Sequence, residues 1–297
     1  MTTGSGTVQV VRSVAELEGI REELRGTERT VGFVPTMGFL HDGHASLLAA
    51  ARAQCDFVVL SIFVNPKQFD QTSDLEAYPR DEERDLGIAA EKGVDLVFAP
   101  GADDLYPEGF ATSVEVRGLT DVLCGSEASR GAGHFRGVTT VVALLLNLVD
   151  PDVAYFGQKD AQQVAVISRM VRDLAFRTQV AVVPTVREPD GLAMSSRNAR
   201  LSEAGRQRAV VVPRALERAR EVALSEGPAA GIEAGRDVLR AEGLEPEYLE
   251  ARTLSDLREV EDTGEEEWML AVAVEVDGVR LIDNLPVEAG GERGTGR

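Results

Sequence analysis

Lysine, histidine and cysteine are nearly absent from this 297-residue chain, and each scarcity excludes something. Cys55 and Cys124 stand far apart without metal-type spacing, so two reduced, partly buried thiols are expected rather than a disulfide framework. No apolar run reaches the roughly 20 residues needed to cross a bilayer. The longest, Val138 to Val149, is interrupted by two threonines and Asn147. Met1 to Val8 lacks the basic start and apolar centre of a secretory signal, so a cytoplasmic protein without a membrane partner is expected. Positive charge is also short: the formal net charge is −19, a field that repels a polyphosphate backbone and argues against a nucleic-acid partner. Only Lys67, Lys92 and Lys159 are lysines, and His41, His44 and His134 are all the histidines. Against that background a tight cationic cluster carries information.

A hydrophobic fraction of 43% is ordinary for a globular protein with a real core, and the length allows one large or two modest domains. Ser13 and Glu16 have the spacing of a capping box, which starts a helix. Strands are expected at Thr30–Pro35, Phe57–Val64, Asp95–Phe98, Val153–Phe156 and Gln179–Val186. They alternate with helices at Gly43–Gln54, Asp81–Lys92, Gly137–Val149 and Asp160–Asp173. That alternation predicts an α/β fold with a Rossmann-like, doubly wound parallel sheet over residues 1–185. Beyond Val186 the texture changes. Helices over Ser202–Leu224 and Pro228–Ala241 precede strands at Tyr248–Arg252, Trp268–Val276 and Val279–Ile282, with Asp277-Gly278 as a hairpin turn. Residues 186–297 are therefore expected to form a smaller α+β lid domain, with a frayed tail from Glu288.

Chemistry concentrates at Pro35-Thr36-Met37-Gly38-Phe39-Leu40-His41-Asp42-Gly43-His44, between the first long strand and a helix. Free N–H groups at such a helix start favour anions, and ligands of open α/β sheets sit beyond the strands' carboxyl ends. His41 and His44, three apart, face one phosphate-sized volume, and Gly38 and Gly43 remove side chains where a nucleotide would approach. A zinc pair or two exposed histidines are the alternatives; zinc needs a third ligand, for which His134 is a weak candidate. Lys159, at a strand's carboxyl end, suits a moving phosphate, though a solvated surface lysine is the plain alternative. Asp81, Glu82 and Asp85 read as a solvated helix face, with indirect help in holding magnesium as the alternative for one of them.

The P-T-M-G run followed by H-x-G-H resembles the ATP signature of the pantothenate synthetases, within the nucleotidylyltransferase superfamily shared with class I aminoacyl-tRNA synthetases. Three further segments, in family order, are similar to that family. They are Ser61-Ile62-Phe63-Val64-Asn65-Pro66-Lys67-Gln68-Phe69, Phe156-Gly157-Gln158-Lys159-Asp160-Ala161-Gln162-Gln163, and Val186-Arg187-Glu188-Pro189-Asp190-Gly191-Leu192-Ala193-Met194-Ser195-Ser196-Arg197-Asn198. Asp283-Asn284 also looks familial.

The resemblance implies an ATP-dependent ligase that activates (R)-pantoate as an acyl-adenylate and joins it to β-alanine, with Mg2+ accompanying ATP and a homodimeric assembly. It implies catalytic roles for His44 as proton donor, His41 and Lys159. It assigns Pro35, Thr36, Met37, Gly38, Phe39, Leu40, His41, Asp42, Gly43, His44, Gly157, Gln158, Lys159, Asp160, Val186, Met194, Ser195, Ser196 and Arg197 to ATP. Gln68 and Gln163, whose amides both donate and accept, go to pantoate, with Gln68 also touching β-alanine. No metal ligand is assigned. Phe39 departs from the family, where a small residue is usual, and either narrows the site or packs into the core; Gln158 is the Gln version of a position often Glu. Spacing alone reads Ser195 and Ser196 as caps of the following helix. Two other functions compete: an adenylyltransferase acting on phosphopantetheine or a nicotinamide mononucleotide, and a catalytically dead nucleotide sensor.

Overall fold

A computed structural model of the chain describes residues 8–69, 75–126, 129, 131–262, 264 and 267–287. The tail expected to fray from Glu288 lies outside them. Six strands, β1 (Gln9–Val11), β2 (Val31–Thr36), β3 (Phe57–Ile62), β4 (Leu96–Phe98), β5 (Val153–Gly157) and β6 (Gln179–Val183), form a wholly parallel sheet in the order β1-β4-β3-β2-β5-β6. Helices α1 (Val14–Arg25), α2 (Asp42–Gln54), α3 (Glu82–Glu91), the short α4 (Ala102–Leu105), α5 (Ala132–Val149) and α6 (Ala161–Asp173) connect them. The Ser13–Glu16 capping box starts α1 as expected.

The four inner strands, β4, β3, β2 and β5, are buried on both faces, as parallel sheets require, while the edge strands β1 and β6 are more exposed. Val34, Val58, Leu60 and Val97 pack with Leu47, Leu48 and Ala51 of α2 on one face, whereas Phe33, Val59, Leu96 and Phe98 pack with α5 and α6 on the other. From β2 the chain runs outward through β3 and β4, then returns to lay β5 on β2's other edge. Sequence order therefore reverses between β2 and β5. Their ladder ends at Phe33↔Ala154, three residues before either strand ends, so a crevice opens at the carboxyl ends.

A second, antiparallel sheet holds β7 (Pro246–Thr253), β8 (Trp268–Val276) and β9 (Val279–Val287) in that order, with α7 (Glu203–Ala209), α8 (Val211–Glu226) and α9 (Pro228–Ala241) on the same segment. Asp277 and Gly278 turn the β8–β9 hairpin with φ of 49° and 78°, the left-handed pair that a two-residue turn needs. Strand β8 alternates between two cores. Trp268, Leu270, Val272 and Val274 join α8, while Met269, Ala271 and Ala273 enter the cluster built on the parallel sheet.

Several boundaries differ from expectation. The single helix expected over Ser202–Leu224 is two, because Pro213 lacks an N–H and fits only in a first turn; α8 restarts at Val211 to place it there. Strand β6 stops at Val183, before Pro184, and β3 at Ile62. Helix α5 begins five residues early, at Ala132. The three-residue β1 was not expected from its sequence.

Candidate active site

The turn from β2 into α2 is held from within and from below. Thr36 Oγ1 donates to Ser61 O at 2.7 Å and accepts from Gly38 N. Gly38 takes φ 78° and Phe39 φ 51°, and the N–H groups of Phe39 and Leu40 both donate, at 2.7 Å, to the carboxylate of Asp85 in α3. Asp85 is 1% exposed, so it is not part of a solvated face. Asp81 caps α3 and Glu82 pairs with Arg12 at the surface, but Asp85 turns inward, the correction that burial forces on the sequence reading. Burial pushes the Asp85 pKa up, partly offset by the two N–H donors. A side chain on Gly38 would meet Asp85 Oδ2 at 2.9 Å and Ile62 Cγ2 at 3.0 Å, so that glycine makes room for the carboxylate.

His41 caps α2, its Nδ1 accepting from Gly43 N at 3.1 Å, and its own N–H donates to His44 Nδ1 at 3.3 Å. With each Nδ1 accepting, the proton of each neutral ring sits on Nε2. The rings lie 4.1 Å apart. Burial, then the charge of Lys159, lowers the His41 pKa; burial, then His41, pushes His44 down to about 3. Both imidazoles are therefore neutral N–H donors at pH 7. The Gly43 Cα carries no side chain because the His41 ring fills that space, 2.8 Å from a hypothetical Cβ.

Across the crevice, β5 runs into a 3-10 turn, Gln158–Asp160, that leads into α6. Lys159 is 16% exposed, with Nζ 3.5 Å from Asp160 Oδ1. Burial opposes the Asp160 carboxylate, but Lys159 and Arg197 outweigh it and hold its pKa below the ordinary value. After β6, Met194 N donates to Val186 O, and Ser195 caps the short turn Ser196–Arg200. Helix α7 is capped by Ser202 itself, so Ser195 and Ser196 are not its caps.

Gln68 follows β3 in the turn Pro66–Gln68. The buried Asn65 donates from Nδ2 to Gln68 Oε1 at 3.0 Å and to Gly137 O at 3.1 Å, and Tyr106 OH donates to Asn65 Oδ1 at 2.8 Å. His134 Nδ1 lies 2.8 Å from Gln68 O, which ties that imidazole to the amide's backbone. Gln162 is spent on structure, bonding Cys124 N, Leu119 O and Val122 O.

One cavity of about 290 Å³ collects these groups. Pro35, Thr36, Met37, His41, Gly43, His44, Gln68, Gly157, Lys159, Asp160, Gln163, Val186, Met194, Ser195, Ser196 and Arg197 all line it. Gly38, Phe39, Leu40, Asp42 and Gln158 do not. Leu40 is fully buried in the core, and Gln158 Nε2 turns to Asn284 Oδ1 at 3.2 Å. Phe39 neither narrows the cavity nor enters the core: it is half-buried, with the Arg84 guanidinium 5.3 Å from its ring.

Sequence reasoning missed Asn65, Tyr78 and Arg280 as cavity walls. Tyr78 stands beside Ser196 and Arg197, its phenol pKa raised mainly by burial; its A-Y-P-R surroundings give no chemical signal. Arg280, on β9 of the other sheet, is fixed by Glu247 of β7, 2.9 Å away. Cys55 and Cys124 are free and buried, as expected. No group of three or more His, Cys, Asp or Glu able to hold a metal occurs among the described residues, so the histidine pair lacks a third zinc ligand there. No helix among the described residues is long and apolar enough to cross a membrane.

A parallel sheet whose switch point opens onto helix starts, neutral imidazoles and paired cations defines a nucleotide-using α/β enzyme. The chain belongs to the pantoate-beta-alanine ligase family, whose profile matches residues 9–286. It is 49% identical to the pantothenate synthetase of Heliobacterium modesticaldum over 95% of this chain and 100% of that protein. The crystal structure of pantothenate synthetase from Thermus thermophilus superposes with a TM-score of 0.86 at 49% identity, covering 94% of this chain and 99% of that one. The Francisella tularensis pantoate-beta-alanine ligase, solved complexed with beta-gamma ATP and beta-alanine, gives 0.78 at 33% identity over 94% and 97%.

Proposed function

We propose that the chain condenses (R)-pantoate with β-alanine, driven by ATP, through a pantoyl-adenylate. The observation that carries this reading is the meeting, in one crevice, of a phosphate-binding half (His41, His44, Lys159, Ser195, Ser196, Arg197) and an amide-bearing half (Gln68, Gln163). A carboxylate oxygen of pantoate attacks the α-phosphorus of ATP, and pyrophosphate leaves. The β-alanine amine then attacks the acyl carbon, the C–O bond to AMP breaks, and the amine's surplus proton departs.

Two anions must approach one another in the first step, so donors and cations aimed at the phosphates supply the rate. His41 and His44 donate hydrogen bonds through Nε2 as neutral rings, so His44 serves the phosphates as a hydrogen-bond donor and keeps its proton. Lys159 and Arg197 offset the charge of the leaving pyrophosphate. Gln68, its oxygen held by Asn65 and one N–H of its amide resting on Met37 Sδ at 3.0 Å, turns the other N–H to pantoate and later to β-alanine; Gln163 takes the hydroxyl side. Met37 and the apolar wall of α5, Val138, Val141 and Val142, exclude water from the mixed anhydride.

The division into residues 1–185, binding nucleotide and pantoate, and residues 186–297, a lid, belongs to this reading and is supported by the separate cluster around Trp268 and Leu216. Magnesium belongs to it as MgATP, held by the phosphates themselves, a mode that suits a cation which keeps most of its waters. A homodimer and a cytoplasmic location are further parts of the reading, supported by family resemblance.

Exchange of labelled pyrophosphate into ATP tests the reading. It is expected to require pantoate and to proceed without β-alanine. Exchange supported instead by phosphopantetheine or nicotinamide mononucleotide would favour the rival adenylyltransferases.

A further inference from the structure

The geometry points to Asp283-Asn284 of β9 as a positioning hub that aligns the two phosphate-binding loops with one another. It rests on the reading above, in which Lys159 and Arg197 serve ATP, and it assigns the second sheet a part in that alignment.

Asn284 is 3% exposed, and every polar atom of its side chain is directed at one loop. Its Nδ2 donates to Gln158 O and to Lys159 O, each at 2.9 Å, and its Oδ1 accepts from Gln158 Nε2 at 3.2 Å. Those two carbonyls belong to the 3-10 turn that carries Lys159. Asp283, 2% exposed, reaches the other loop. Its carboxylate accepts both terminal nitrogens of Arg187, at 2.7 and 3.1 Å, and its Oδ1 also accepts Asn284 N at 2.8 Å. Arg187 in turn donates to Gly191 O and to Asn284 O, so it closes the turn that leads to Met194 and Arg197.

A planar guanidinium on a buried carboxylate is a stiff joint, because two parallel bonds fix an angle as well as a distance. Lys159 approaches the site from β5 and Arg197 from the segment after β6. The parallel sheet pairs β5 and β6 up to their ends, at Gly157↔Val183, but does not fix how the two loops lie beyond that point. The Asp283-Asn284 pair does, through backbone carbonyls on one side and Arg187 on the other. Both residues line the cavity, but their polar side-chain atoms are taken up by Gln158, Lys159 and Arg187, so they act through Lys159 and the loop that Arg187 closes.

The test is pantoate-dependent pyrophosphate exchange in the full chain, with wild type, N284D, R187K, K159R and K159R/N284D. N284D keeps size but sets a carboxylate oxygen against two carbonyls. Misplacement of a charged group by about 1 Å costs on the order of 10²-fold, so kcat/KM for ATP is expected to fall by that order. Pantoate KM is expected to change far less, because Gln68 lies on another element and Gln163 is held within α6. R187K gives the same signature from outside β9, which covers the case of an N284D chain that folds poorly. Because Asn284 acts through Lys159, K159R/N284D is expected to be no slower than the slower single variant. Fully multiplicative losses, or a pantoate KM that rises in step with that for ATP, would overturn the hub. Wild-type exchange in K159R together with K159A would overturn the Lys159 assignment itself, a result read without any change at position 284.

Discussion

Asp85 Oδ1 accepts the N–H of Leu40 at 2.7 Å from beneath the turn that delivers His41 and His44. Its Oδ2 takes Phe39 N at the same distance, so one buried carboxylate holds the turn that carries the left-handed pair Gly38-Phe39. Removing it strands two inward amides. Asp85→Ala is expected to lose about 1–3 kcal/mol for each unsatisfied donor, and to raise KM for ATP while that for pantoate stays. Urea unfolding and steady-state kinetics check both. An unchanged midpoint would mean that the turn holds itself.

Stability follows the histidine pair with pH. His44 titrates near pH 3 in the folded chain against 6.5 when free, burial being the first cause. A depressed value means that the unfolded chain binds the proton first, so the stability is complete above pH 6.5 and is lost as pH falls from there toward 3. One such proton steepens the loss by at most about 1.4 kcal/mol per pH unit. Denaturation midpoints followed down from pH 7 should fall more steeply in wild type than in His44→Gln. Parallel curves would place His44 in water.

Charge at the phosphates is expected to matter more for rate than for binding of the acid. Lys159→Ala should lower exchange on the order of 10²–10³-fold, with little effect on pantoate KM. Arg197→Ala should act in the same direction. Initial rates with each substrate varied in turn separate the two parameters; a loss confined to pantoate KM would move both residues to the other half of the cavity.

Gly137 governs the pantoate half through packing. A Cβ there would overlap Lys67 O and come within 2.7 Å of Gln68 N. Gly137→Ala must push the Pro66–Gln68 turn away from α5, at a cost of about 1–3 kcal/mol for overpacking, and should raise pantoate KM as Gln68→Ala does. Calorimetry and kinetics on both variants check this. A stable G137A with normal pantoate KM would mean that the position of Gln68 is unimportant.

Much of this architecture was readable in the chain. The alternation of V-G-F-V, F-V-V-L-S-I and V-A-Y-F-G with helical segments carried the parallel sheet, since strands buried on both faces show as continuous apolar runs. The motif residues were readable because their chemistry is rare here: all three histidines and one of three lysines meet in the cavity. Asp85 was not readable. Within D-E-E-R-D it looks like its neighbours, and only the contact with Leu40, 45 residues away, separates it from Glu82. Strand β1 escaped for the same reason: three residues carry no periodicity, and their order comes from pairing with β4. The Asp283-Asn284 dipeptide resembled its family but announced no task, because what it does is bond backbone atoms of other loops.

The central claim, an acyl-adenylate formed in this crevice, is tested most directly by the fate of oxygen. With pantoate labelled with 18O in both carboxylate positions, ATP and β-alanine, mass spectrometry of the AMP product should find one labelled oxygen, carried over when the C–O bond breaks. AMP without label would contradict the claim.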